Sequence, residues 1–199
     1  MTAKNEPLGP DDWIKAGFRA LTAGGPEAVK VEKIARSLNV SKGSFYWHFK
    51  NQGALKTAMM SHWEEWGTRA IINSNEGAGL TPRERLLDLG ARITNSRDTP
   101  AGGLSYGGLM METAIRDWSR FDRDIGVIVR KVNEARLRYI ANLFTQLGCG
   151  TDQSAMKAKL LYSSMIGLEF LEHQNLAALE KDLGILLTSL LDHDGCQGE

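Results

Sequence analysis

The chain is poor in the residues that usually announce chemistry. It has two cysteines in 199 residues, Cys149 and Cys196, which form no CxxC pair and have no histidine at metal-ligand spacing. The four histidines, His48, His62, His173 and His193, are scattered. There is no HxxxH spacing, no Ser/His/Asp or Cys/His arrangement and no phosphate-cradling glycine loop, so neither catalysis nor a metal or cofactor is expected. No apolar run approaches the roughly 18 residues that span a bilayer, so no membrane partner is expected. The first nine residues carry no apolar stretch, so no signal peptide is read there and a reduced, cytoplasmic setting is expected.

Net charge is also missing: 24 bases balance 24 acids. The average hides an asymmetry. From Ala28 to Met60 there are six bases (Lys30, Lys33, Arg36, Lys42, Lys50, Lys56) against one acid, Glu32, a net of +5. Residues 1–27 sum to −1 and residues 61–199 to −4. A basic block inside a mildly acidic chain fits a DNA-binding module or a solvated lysine face. Hydrophobic content of 42% and charged content of 24% suit one compact unit with a sizeable core.

What is present is helical periodicity almost throughout, without a strong alternating strand pattern. A first helix opens at Pro10 with Asp11 and Asp12 in its first turn, presents Trp13, Ile14, Gly17, Phe18 and Leu21, and stops at Gly24-Gly25-Pro26. A short second helix carries Val31, Ile34, Ala35 and Leu38. Ser41 is read as the N-cap of a third, with Val40 and Phe45 as a hydrophobic staple. A fourth runs from about Asn51 to Asn75. Thr81-Pro82-Arg83-Glu84 is a capping box opening a fifth. A glycine-rich stretch precedes a sixth element, Tyr106 to Trp118, and a seventh helix spans about 121–147. Thr151 and Asn175 are read as caps of the last two. The expectation is an all-α protein of about nine helices: a three-helix domain with a helix-turn-helix over residues 1–55, then an effector-binding and dimerisation bundle over 56–199.

Residues 30–49 read KVEKIARSLNVSKGSFYWHF, with the proportions of two short helices joined by a tight turn. The first turn after Ser41 is Lys-Gly-Ser, without an acid, so unpaired backbone N–H groups, small hydroxyls and a lysine offer a place for a phosphate. Gly43 either permits close approach of a groove wall or simply eases the turn. SKGSFYWHFK preceded by KIARSLNV resembles the signature of the TetR family of transcriptional regulators, specifically over about residues 13–63 and beyond that only in helix lengths and order. The resemblance implies a third helix in the major groove, with Tyr46, His48 and Lys50 on phosphates and Ser41, Lys42 and Ser44 on phosphates or base edges. Lys30, Gly43 and Trp47 complete the candidate DNA surface, although Trp47 fits a core position equally well. Asn51-Gln52-Gly53 departs from the charged run usual there and predicts a looser start to the fourth helix.

The last two helices are apolar on more than one face, which implies either a partner surface or a deep monomer core. Tyr162, Ile166, Gly167, Phe170, Leu187 and Leu191 are the candidate dimer contacts. A two-fold dimer reads a palindrome in double-stranded DNA. The resemblance further implies a small-molecule effector among helices four to eight. Trp63, Trp66, Tyr106, Met110, Trp118 and Tyr162 are the candidate lining, while Glu112 and Glu169 fit a cationic ligand or a surface position. The reading is a ligand-responsive repressor. The alternative is a protein of the same fold that acts as an activator or answers to a protein partner.

Overall fold

The computed structural model describes residues 8–95, 110–172 and 175–192, and all regular structure among them is helical. The reading head comprises α1 (Pro10–Gly24), α2 (Val31–Ser37) and α3 (Lys42–Phe45). Proline at the first position and Asp12, whose Oδ2 accepts the Gly9 N–H at 2.8 Å, start α1, and Gly25 at φ 67° ends it. Gly17 lies where α1 crosses the next long helix, and a Cβ there would stand 2.7 Å from Met59 Sδ and force that buried side chain to shift.

That next helix is one continuous rod over residues 52–77, made of α4 (Gln52–Glu64), a π turn (Glu65–Arg69) and α5 (Ala70–Gly77). Its start is not loose. The Asn51 Oδ1 accepts the Ala54 N–H at 2.9 Å, and Gln52 Nε2 donates to the Val29 carbonyl at 2.6 Å. Two polar side chains do here what a charged run does elsewhere, capping the helix and fastening it to the head. The π turn has no counterpart in the periodicity.

The bundle continues with α6 (Pro82–Asn95), α7 (Met110–Trp118), α8 (Arg123–Gln146), α9 (Thr151–Leu171) and α10 (Leu176–Asp192). The capping box of α6 closes as expected, with the Thr81 N–H on Glu84 Oε2 at 2.8 Å and the Glu84 N–H on Thr81 Oγ1 at 3.3 Å. Asn175 Oδ1 accepts the Ala178 N–H at 3.2 Å. Thr151 is the first residue of α9 rather than its cap, which is Gly150. No described helix is long and apolar enough to cross a membrane.

Two apolar cores result. One joins the reading head (Trp13, Phe18, Ile34, Phe45) to Leu55, Met59 and Trp63 and on to Ile115, Trp118, Ile125 and Val129. The other holds Leu86 and the far half of α8 (Tyr139 to Phe144) against α9 and α10. The first core therefore runs uninterrupted past residue 55. Lys56 and Asp122, both half-buried, bridge α4 to the α7–α8 turn, and the Lys56 ammonium lies 5.5 Å from the Trp118 ring centre. Asp122 also caps α8, its Oδ1 accepting from the Asp124 and Ile125 N–H groups at 3.1 and 3.2 Å.

Candidate nucleic-acid interface and buried polar cluster

Asn39 turns the chain between α2 and α3 at φ 55°, a left-handed conformation that asparagine tolerates, and the Val40 N–H closes on the Ala35 carbonyl at 3.0 Å. Phe45 then anchors α3. Its ring meets Trp13 edge-on at 5.2 Å and stacks on Phe49 at 5.5 Å, so the one fully buried side chain of α3 fixes how the rest is presented.

The helix is only one turn long, with Tyr46 as its C-cap and hydrogen-bonded turns carrying the chain to Phe49. The Ser41 side chain makes no capping bond. Lys42 is not an unpaired cation either: its Nζ lies 2.5 Å from Glu32 Oε1, which raises the lysine pKa and lowers that of the carboxyl. Lys30 pairs similarly with Glu27 at 2.9 Å. Both pairs are solvent-exposed and therefore weak, so a phosphate could replace the carboxylate. Lys56, counted in the basic block, is turned inward to Asp122.

What remains on the outer face is aromatic and basic. Trp47 is 88% exposed and Tyr46 55%, which removes the core reading of Trp47. Ser41, Lys42, Gly43 and Lys50 are exposed, and Ser44 and His48 are half-buried. A Cβ on Gly43 would meet nothing closer than Ser41 Oγ at 3.5 Å, so packing within the chain does not demand glycine there.

The bundle contains a second polar locus that the sequence reading did not assemble. Glu112 on α7 accepts from Arg116 Nη2 at 2.6 Å, Arg136 Nη1 at 2.8 Å and Trp63 Nε1 at 2.8 Å. The Tyr162 hydroxyl accepts from both arginines and donates to Asn133 Oδ1 at 2.9 Å. Arg136 also donates to Thr68 Oγ1 at 3.0 Å and to the Gly67 carbonyl at 2.9 Å, both on the π turn. Gly67 suits this contact, since a Cβ would stand 3.3 Å from Arg136 Nη2 and from the Trp63 ring and push both back by a few tenths of an ångström. Burial pushes the Glu112 carboxyl up, but Arg136 and Arg116 outweigh it and hold it down at about 2. Neither Glu112 nor Glu169 is a surface residue; burial, reinforced by Glu112 and only partly offset by the arginines, raises Glu169 to about 7.

Of the candidate effector-lining residues, the structure brings Trp63 and Tyr162 together in this cluster. Trp118 is buried under Lys56, Trp66 lies more than half exposed against His62, and Met110 sits at the surface. Tyr106 lies outside the described residues. Among the candidate dimer contacts, Tyr162 and Leu187 are buried within the protomer's own core, a correction to their expected place on the partner face. Phe170 is exposed, and Ile166, Gly167 and Leu191 are half-buried. The apolar residues that do stand out on α9 and α10 are Met156, Leu160, Leu171 and Ile185.

Residues 14–59 match the family of bacterial regulatory proteins described as the tetR family. The chain is 30% identical across 84 residues to the transcriptional regulator AcuR of Cereibacter sphaeroides, covering 42% of this chain and 38% of that one. It is likewise 30% identical across 86 residues to the class G tetracycline repressor protein of Vibrio anguillarum, covering 43% and 41%. The matches thus span about two fifths of those relatives. The fold extends further. A TetR-family regulator of Streptomyces coelicolor superposes with a TM-score of 0.73 at 15% identity, covering 94% of this chain and 90% of that one. A putative transcriptional regulator of Saccharomonospora viridis, solved with choline, does so at 0.70 and 17% identity, covering 93% and 96%.

Proposed function

We propose that this protein is a ligand-responsive transcriptional repressor that binds a palindromic operator as a homodimer and leaves it when a small molecule occupies the bundle. The observation that carries the reading is the uncovered face formed by Tyr46, Trp47 and Lys50 beside the exposed Lys42–Glu32 pair. In this assignment Lys42, Tyr46, His48 and Lys50 position the head on phosphates, and Lys42, Ser44 and Trp47 reach base edges, Trp47 against a thymine methyl.

The second copy is argued from the outer face of α9 and α10. Leu160, Phe170, Leu171 and Ile185 are at least half exposed there, and a groove between the helices is lined by Gly167, Leu168, Ile185 and Leu186. Nothing stands within 4 Å of a Cβ on Gly167 or Gly184, which leaves room for a facing helix. A two-fold pair sets two heads in successive major grooves about 34 Å apart, or a multiple of that distance. The relative named a repressor and the neighbour holding choline support repression and small-molecule control.

The test is selection of genomic fragments by the purified protein, followed by fluorescence anisotropy on the recovered sites. Palindromic sites bound more tightly than scrambled duplex are the expected result. A protein that ignores duplex DNA at low ionic strength, with no small molecule present, overturns the proposal.

A further inference from the structure

The buried cluster has committed all its guanidinium nitrogens but one, and it leaves one carboxyl unused. Arg136 gives every nitrogen to Glu112, Tyr162, Thr68 or the Gly67 carbonyl. Arg116 gives Nη1 to Asn133 and Nη2 to Glu112 and Tyr162, while its unpaired Nε is sealed from solvent. Glu169 is the exception. It lies two turns along α9 from Tyr162, on the inward side, about 10 Å further up the axis. It is only partly accessible and has no hydrogen bond or ion pair among the described residues, although Glu112 and Arg116 of α7 and Arg136 of α8 all act on it electrostatically.

We infer that Glu169 is the anchor of the effector site and that the effector is a small organic cation bearing at least one N–H, such as a protonated amine. This rests on the ligand-responsive reading above and names the ligand's chemistry. An organic anion would find the guanidinium nitrogens committed except for the sealed Arg116 Nε, and a poorly bonded buried anion is costly. A cation finds an unused carboxyl. With Glu169 protonated, Glu112, Arg116 and Arg136 leave the cluster at +1. A cation that binds while Glu169 gives up its proton leaves the same +1, so the exchange adds no buried charge. The carboxyl's elevated pKa of about 7 places that exchange near neutrality. Affinity for the cation should therefore fall as pH drops through 7, by about tenfold between pH 8 and pH 6.

The experiment uses three probes of one ring size, benzylamine, benzyltrimethylammonium and benzoate, with the full chain and Glu169→Gln. Calorimetry in buffers of different ionisation heat is run alongside anisotropy of the DNA complex. Benzylamine should bind wild type more tightly than the quaternary ammonium and much more tightly than benzoate. It should release about half a proton at pH 7 and lose both affinity and pH dependence in Glu169→Gln, an isosteric change expected to fold. Equal benzylamine affinity in Glu169→Gln, or binding without proton release, overturns the assignment. Benzoate that binds better and displaces DNA also overturns it while leaving the ligand-responsive reading intact. No binding of any probe overturns the cation site, whereas the regulator reading fails only if DNA binding itself is absent.

Discussion

The reading head and the bundle interior both pair lysine or arginine with glutamate, at comparable distances and with opposite consequences. Lys42–Glu32 at 2.5 Å stands in solvent, so its carboxylate is a placeholder that a DNA phosphate can displace at little cost. Glu112 with Arg116 and Arg136 at 2.6 and 2.8 Å is shut inside, where either partner alone would be a stranded charge. Exchangeable pairs suit a surface that must bind and release. Locked pairs suit an interior that must hold one geometry until something of matching chemistry enters.

The contrast can be broken most directly in the interior. Arg136→Ala leaves Glu112 to Arg116 and takes the donor from the Gly67 carbonyl and the Thr68 hydroxyl, and should cost about 3 kcal/mol in urea unfolding; a loss under about 1 kcal/mol would put the interior pair on a par with the surface one. Next comes acid. A carboxyl held at about 2 against an unfolded value near 4.5 stabilises the fold above pH 4.5 and loses that contribution, about 3 kcal/mol, as pH falls towards 2. Glu169 has the opposite sign. Its raised pKa favours the fold below pH 4.5 and penalises it as pH rises through 7, so Glu169→Gln should be more stable than wild type at pH 8 and equal to it near pH 4. A pH-independent difference would break that pairing of signs.

On the outside, Trp47→Ala should leave stability within about 0.5 kcal/mol while costing about 1–3 kcal/mol in operator affinity by anisotropy. A stability loss larger than the affinity loss would return Trp47 to the core. A Cβ at Gly167 meets nothing within 4 Å, so Gly167→Leu should fold, yet weaken the dimer by tenfold or more, about 1.4 kcal/mol, in sedimentation. An intact dimer would move the partner surface elsewhere. Smallest is Lys50→Ala, which should flatten the salt slope of DNA binding by about one unit on specific and nonspecific duplex alike. An unchanged slope would remove Lys50 from the phosphates.

The reading head was legible because its signals are local. Pro10 at the start of α1 and Gly24-Gly25 at its end each act within four or five residues and appear in the structure where their chemistry puts them, as does the capping box at Thr81–Glu84 in the bundle. Trp47 was ambiguous because helical spacing counts aromatics without knowing which side faces out. Arg116 and Arg136 were passed over because charge reads as surface. A signal was nonetheless present: Arg136 falls in register with Val129, Val132, Tyr139 and Leu143 on the buried stripe of α8, and Arg116 stands one turn after Glu112. Tyr162 and Leu187 were misassigned because α9 and α10 are apolar on two faces, and sequence alone does not say which face the protomer keeps.

The π turn at Glu65–Arg69 carries one residue more than a regular helix of the same span would need. Deleting a single residue there would still leave a well-formed rod joining head to bundle. Everything downstream, however, would be rotated by about 100° relative to α4, carrying the Thr68 hydroxyl and the Gly67 carbonyl away from the guanidinium they receive. Chain length in that one loop-free stretch is thus as strictly constrained as any side chain in the interior, and an alignment that tolerates a gap there would be comparing proteins with different insides.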